Sequence, residues 1–506
     1  MASFLDRRSF IRLCSACAAF LARPAHPQTR PAATTSRTGV KNRKNFVGIQ
    51  VRGFAWVDEG VDQVLDNLQK KGDVNTVWAY TFSYGETRLQ KNGPIPLPDH
   101  GKAGDTIAGG AFYDYDPKYF QNTILKDFRC GTYGKFNVIE EVAPKAHARG
   151  MDFFAWDLNN PGLDLNVSIP NYAEVAEIDL YGRRATRPCF NNPDYRAFLT
   201  GKVESLLSQY PSEVDGIAWG SERMGPFENL IGRVTPVSCF CQFCQAKARE
   251  RGISVPRAQA GYQALEQLFR AAAQEQRPAD GYFVTFWRIL LQYPEILSWE
   301  TLWTDSYQEL EAELYGTAKA IAPQKPFGFH IMQSMTFSPF YKAEEDYVKR
   351  RNFADFLKPA TYNNAGGPRM AAYLKRLSQT IFADAKPNDF LDFYYKIMNY
   401  QEAPYDQLAT SGLSADYVAR ETKRAVEGVA GEVMIYPGID IDVPTLTRAG
   451  TPEKRTSPED VKRALQAAFS AGANGVVLSR EYAEMQLANL AAAGDALREI
   501  LAHASA

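Results

Sequence analysis

Histidine is scarce in this 506-residue chain, with five in all. No H-E-x-x-H or H-x-H pair occurs among them, which excludes a histidine-rich catalytic metal centre. Excess charge is also missing. The 57 Lys and Arg balance 58 Asp and Glu to a net charge of -1, so nothing recommends a nucleic-acid polyanion as partner. Cysteine is limited to seven residues. Cys14 and Cys17 lie in an N-terminal segment, leaving Cys130, Cys189, Cys239, Cys241 and Cys244 in the body. That odd number argues against a purely disulfide framework and suits four thiols on a metal with one left over. No short-period sequence repeat is evident.

What is present is a large apolar and aromatic load: 45% hydrophobic residues, with 26 Tyr, 30 Phe and 7 Trp. Most of these rings fill a core, and a surplus suits stacking against the apolar faces of sugars. The length allows one large barrel with insertions, or two to three domains.

The N-terminus reads as a targeting segment. Asp6-Arg7-Arg8-Ser9-Phe10-Ile11-Arg12-Leu13 has the form of a twin-arginine signal, followed by the apolar run Leu13–Ala22. That run is too short to cross a bilayer. An Ala-, Pro- and Thr-rich linker continues to Lys44. The expectation is export of an already folded protein to the periplasm or beyond, with its thiols metal-loaded before they meet an oxidising compartment. The catalytic domain is expected over 45–504.

Eight apolar, β-rich segments alternate with helical pattern. They are Phe46–Trp56, Asn75–Tyr84, Met151–Asn160, Val214–Gly220, Lys325–Ser334, Ala354–Tyr362, Glu432–Asp442 and Gly475–Tyr482. Such alternation predicts a parallel sheet covered by helices, and eight units predict a closed α/β (β/α)8 barrel, the TIM barrel. A long loop follows strand two, and a zinc loop with a helical insertion over 226–298 follows strand four. Ser457 and Pro458 predict the start of a helix.

The chain is organised around Val214–Cys244. Glu222 stands just past strand four, where barrel chemistry is carried. A partly desolvated carboxyl there is expected to have a raised pKa, as a general acid requires. The plainer alternative is a surface glutamate capping the next turn. Cys239-Phe-Cys241-Gln-Phe-Cys244 then puts three thiols within six residues, suiting one tetrahedral soft metal. Cys189 is the best fourth ligand and Cys130 the reserve. Free thiols or a disulfide are the alternative.

Glu222, the CFCQFC run and Cys189 in PCFNNPDYR together resemble glycoside hydrolase family 42, the β-galactosidases. The resemblance covers roughly Cys189 to Trp287. It implies a (β/α)8 barrel with Glu222 as acid/base after strand four. It also implies a structural zinc held by Cys189, Cys239, Cys241 and Cys244. The family's usual acid/base motif is Asn-Glu, whereas here Ser221 precedes Glu222. The resemblance further points to a nucleophilic Glu on strand seven, and this chain has none at that strand's C-terminal end.

Strand ends select the remaining candidates. Asp442, Asp440 or Glu481 must partner Glu222 in catalysis. Arg52, Trp56, Tyr80, Asp157, Asn159, His330, Lys358, Tyr362 and Arg480 are expected to bind substrate. Each has a structural alternative: an Asx turn for Asp157, a satisfied core position for His330, ion pairs for the strand-seven acids and for Glu481 beside Arg480. The sequence therefore predicts an exported glycoside hydrolase acting on an oligosaccharide or glycoside by carboxylate catalysis, with structural zinc. The alternative is a carbohydrate-binding barrel that has lost catalysis. A barrel enzyme of other chemistry is a third reading.

Overall fold

The computed structural model describes residues 45–85, 97–104, 108–159, 168–232, 237–445 and 454–504. The expected targeting segment lies outside the described residues, as do parts of the long loop after strand two.

Eight parallel strands form the barrel: β1 (Phe46–Val51), β2 (Thr76–Ser83), β3 (Asp152–Leu158), β4 (Gly216–Gly220), β5 (Phe327–Ile331), β6 (Phe356–Pro359), β7 and β8 (Gly475–Ser479). β7 is broken into Met434–Ile435 and Gly438–Asp440. Its first piece pairs with β6 through Met434↔Phe356, and its second pairs with β8 through Gly438↔Val477. With β8 against β1 at Phe46↔Gly475, the sheet closes on itself. The break at Tyr436-Pro437 lets one strand serve both neighbours.

Burial is continuous along β1 and β2 because both faces are covered. Aromatic rings fill the interior. Phe46 stacks on Tyr436 at 4.1 Å between centroids, and Trp78 of β2 meets Phe356 of β6 at 5.6 Å. β2 and β6 are not neighbours in the sheet, so these rings touch across the barrel. Such packing needs small partners: a Cβ on Gly216 would come 2.7 Å from the Phe154 ring.

The longer helices, in order, are α1 (Gly53–Glu59), α2 (Val61–Gly72), α3 (Val138–Ala148), α4 (Pro193–Gln209), α5 (Pro226–Gly232), α6 (Gln242–Glu250), α7 (Val255–Ala273), α8 (Tyr282–Gln292) and α9 (Glu295–Ile321). After β6 come α10 (Asn363–Leu377), α11 (Pro387–Met398) and α12 (Ala415–Val429). α13 (Pro458–Ser470) follows β7, and α14 (Leu487–Ala504) follows β8. Starts follow local chemistry. Asn192 accepts the amides of Asp194 and Tyr195 ahead of Pro193. Ser457 and Asp460 form the capping box expected before Pro458. Among the described residues, no helix is long and apolar enough to cross a membrane.

One boundary shifts with consequence. β1 ends at Val51, and α1 takes up Gly53–Glu59. Trp56 therefore sits on a helix at 1% exposure.

Candidate active site

The C-terminal ends of β4, β5, β6 and β8 open onto a cavity of about 540 Å³. That size falls in the range of small-ligand sites. Glu222, Glu228, His330, Gln333, Tyr362, Arg369, Tyr373, Arg376 and Arg480 are among its lining residues.

Glu222 lines the cavity two residues past the end of β4 at Gly220, where a Cβ would lie 2.9 Å from Trp156. Its side chain is 31% exposed, and one carboxylate oxygen lies 3.4 Å from His330 Nε2. His330 Nδ1 is buried and has no hydrogen-bond partner among the described residues. This assigns the ring hydrogen to Nε2, which faces Glu222. Burial, aided by the charge of Lys358, lowers the His330 pKa, so the ring is neutral near pH 7.

The expected raised pKa of Glu222 is not found. Burial pushes it up, but His330, Arg480 and Lys358 outweigh burial and bring it down to about 2. Glu222 is held ionised, which suits a base or nucleophile and not a resting general acid.

Lys358 is fully buried and donates to Gln50 Oε1 at 3.1 Å and to Tyr362 OH at 2.7 Å. Burial brings its pKa down to about 7, against the pull of Glu222. Arg52 contacts Glu481 at 3.5 Å and Tyr80 OH at 3.4 Å. Arg480 donates through Nε to Glu484 at 2.9 Å. His330, Tyr362 and Arg480 thus line the cavity with Glu222. Lys358, Arg52, Tyr80 and Glu481 form a buried polar layer at the strand ends, and none of these four is among the cavity-lining residues.

Two substrate candidates are placed elsewhere. Buried Lys202 of α4 donates to Asp157 at 2.9 Å and to Asn159 at 3.0 Å, beside the Phe82 ring. Asp157 and Asn159 therefore hold α4 to β3, and neither is among the residues lining this cavity. An unpaired lysine at that position would be costly, which is why the acid is there.

Both strand-seven aspartates also have structural partners. Asp440 accepts the amides of Ala365 and Val443 at 2.9 Å each, and so caps the first turn of α10. Asp442 accepts the Gln486 amide at 2.9 Å and the Asn489 side chain, at the start of α14. Neither lines the cavity. Their alternation along the strand predicts a common direction, whereas each turns to the nearest helix N-terminus, where unpaired amides need acceptors.

The second carboxyl on the cavity is Glu228, on α5. Strand-end reasoning does not select it, because it follows a turn. Its signal is an acid within Pro226–Gly232, among Phe227, Leu230 and Ile231, where a charge is expensive to bury. Burial raises its pKa to about 7, despite hydrogen bonds from Ser338 and Tyr373. Both hydroxyls meet Oε1, with Tyr373 at 3.2 Å. Oε2 accepts nothing among the described residues and is the oxygen left to hold a proton. Arg369 and Arg376 of α10 are likewise outside the strand-end set.

Beside this site lies the cysteine cluster. The sulfurs of Cys189, Cys239, Cys241 and Cys244 all lie within 4.8 Å of one another, and all four residues are buried. Cys189 Sγ is 3.5 Å from both Cys241 and Cys244. A tetrahedral zinc with bonds of about 2.3 Å would set its sulfurs roughly 3.8 Å apart. The amides of Ile178, Asn191 and Cys241 point at the sulfurs at 3.3 to 3.4 Å, as thiolate charge requires. The donor set therefore fits a metal ion. Cys130 is not part of it and hydrogen-bonds Ala108 O at 3.2 Å. Residues flanking the cluster also contact the loop that carries Glu222. Arg223, next to Glu222, pairs with buried Glu177, donates to Pro188 O at 2.5 Å and stacks over Phe190.

No protein-family model matches the chain, and no curated protein does. Solved structures share its fold. The β-galactosidase from the psychrophilic Marinomonas ef1 aligns with a TM-score of 0.53 at 12% identity, over 91% of this chain and 60% of that one. The β-galactosidase from the Antarctic haloarchaeon Halorubrum lacusprofundi aligns with a TM-score of 0.51 at 13% identity, over 90% of this chain and 58% of that one. The chain spans less than two thirds of either. The likeness is one of fold: a (β/α)8 barrel shared with two β-galactosidases.

Proposed function

We propose that the chain is a glycoside hydrolase whose reacting carboxyls are Glu222 and Glu228. The observation that carries this reading is one cavity lined by two carboxyl groups displaced in opposite directions, to about 2 and about 7. Such a split separates a carboxylate from a proton donor at one pH. Glu228 donates a proton to the departing glycosidic oxygen. Glu222, ionised, meets the positive charge that develops at the anomeric carbon. His330 and Lys358 keep it ionised, and Tyr362 and Gln333 offer hydroxyl-sized hydrogen-bond partners. The acid role that the sequence gives to Glu222 thus passes to Glu228.

The cysteine cluster is read as a structural zinc site, because four buried thiols suit zinc and leave no open position for substrate. Zinc there supplies rigidity to the loop carrying Arg223 and Glu222. The family 42 resemblance over Cys189–Trp287 supports the same reading, and the twin-arginine segment supports export.

A panel of aryl glycosides, led by β-galactosides, tests the proposal. Release of the aryl group that is lost in Glu222→Gln supports it. A sugar-binding barrel without turnover is the second reading, favoured by the structural roles of Asp440 and Asp442. Calorimetric binding of oligosaccharides with no aryl release from any glycoside would establish it instead.

A further inference from the structure

Two cations on the cleft wall make no ion pair among the described residues. Arg369 and Arg376 sit two turns apart on α10, and both line the cavity. Arg369 donates to Gln333 Oε1 at 2.7 Å and to Pro444 O at 3.0 Å, both neutral acceptors. Arg376 Nε is buried and makes no hydrogen bond among the described residues. Neither guanidinium makes an ion pair among the described residues, although Arg480 beside them pairs with Glu484. The negative charge of Glu222 is already met by Arg480 and Lys358, with the neutral His330 ring facing it. Glu228 accepts from two hydroxyls and feels the charge of Arg376, yet burial still raises its pKa to about 7, so it offers Arg376 little countercharge at neutral pH.

Like charges gathered at a cavity wall are a cost to the empty protein. Burial first, and then the neighbouring charge of Arg480, lower the Arg369 pKa against the opposing pull of Tyr362, Asp440 and Glu222. A site for neutral sugars gains nothing from such a wall. An anion entering it removes the repulsion and accepts hydrogen bonds from a planar fork suited to carboxylate or sulfate.

We infer that the cleft takes an anionic sugar residue, a ring bearing a carboxylate or sulfate group, with Arg369 holding the anion and Arg376 extending the positive wall. This rests on the reading of the cleft as a sugar site. A neutral ring offers hydroxyl acceptors but no countercharge, so the wall favours the anionic ring over it.

Calorimetry on the full chain tests the inference with glucuronate, galacturonate, glucose 6-sulfate and galactose 6-sulfate, each against its neutral parent sugar. The inference expects at least one anionic sugar to bind about tenfold or more tighter than its parent at low salt. The uronates and the sulfated sugars separately identify which anion is taken. The preference should shrink with added salt, in Arg369→Gln and in Arg376→Gln. Arg376→Gln carries the test if the Arg369 variant fails to fold, since the Arg376 Nε has no hydrogen bond to lose. Neutral sugars binding as tightly as every anionic one, no measurable binding of any sugar, or a preference that survives the arginine substitutions, would overturn it. Aryl uronides and aryl hexosides separate the two claims. Anion preference without turnover sinks the hydrolase reading alone. Turnover and binding of neutral glycosides only sinks the anionic one alone.

Discussion

His330 Nε2 faces a carboxylate oxygen of Glu222 at 3.4 Å, across the ends of two adjacent barrel strands. The contact decides the state of the carboxyl. Burial alone would raise it, and the imidazole with Arg480 and Lys358 reverses the sign. His330→Ala removes the first of these. The acid limb of kcat/KM should move up from about 2 towards the ordinary Glu value of about 4.5. A pH–rate profile measured from pH 3 to 6 checks it, and an unmoved limb would show that His330 does not set the charge of Glu222.

Glu228 should give the opposite limb. Its pKa of about 7 predicts falling activity as pH rises through neutrality. Glu228→Gln should lose that limb. It should also lose 10²- to 10⁴-fold in rate on glycosides with poor leaving groups, roughly the contribution of general acid catalysis. Dinitrophenyl glycosides, whose leaving group needs no proton, should be spared. An equal loss on both substrates would remove the acid assignment.

The same residue makes a prediction about stability. A carboxyl raised from 4.5 unfolded to about 7 folded stabilises the protein fully below pH 4.5, and that contribution is lost as pH rises to 7. The size is up to about 3 kcal/mol. Glu222 acts in the other direction, but only below pH 4.5. Thermal melts of wild type and Glu228→Gln at pH 5 and pH 8 check it: the decline in Tm from pH 5 to pH 8 should be smaller in the variant.

Asp157 and Asp440 should behave as structural residues. Asp157→Ala leaves Lys202 buried without its partner, at a cost of about 3–5 kcal/mol. Asp440→Ala removes the acceptor for Ala365 at the start of α10, at about 1–3 kcal/mol. Denaturant midpoints should fall in both. A folded, fully stable Asp440→Ala that has lost turnover would return that residue to the catalytic pair.

The cysteine cluster predicts a bound metal at one per chain. Cys241→Ser should lower metal content and Tm together, and chelation should do the same to wild type. An unchanged metal-to-protein ratio in the variant would refute the site. Because Arg223 ties the Cys189 segment to Glu222, activity should fall with metal loss before the chain unfolds.

The barrel is legible in the sequence because each strand is a short apolar run bounded by turn residues, from Phe46–Val51 to Gly475–Ser479. The cysteine cluster is legible because thiols at C-x-C-x-x-C spacing have few other uses. Glu222 is legible by its place after β4. Side-chain direction is not. Asp440 and Asp442 read as cleft acids because strand ends face the cleft, yet helix starts compete for the same carboxylates and win. Asp157 reads as a cleft residue because its partner, Lys202, lies 45 positions away on α4. Trp56 reads as a strand-end residue but falls on a helix, because Arg52-Gly53 ends the strand early. Glu228 is hidden because its role comes from burial after a turn, which periodicity does not report.

The most direct test is aryl release by wild type and Glu222→Gln, compared at equal metal content and equal Tm. The account predicts turnover by wild type on at least one glycoside and a loss of 10³-fold or more in the variant, of the order expected for a group that acts on the reacting atoms. A Glu222→Gln protein that turns over at close to the wild-type rate would contradict it.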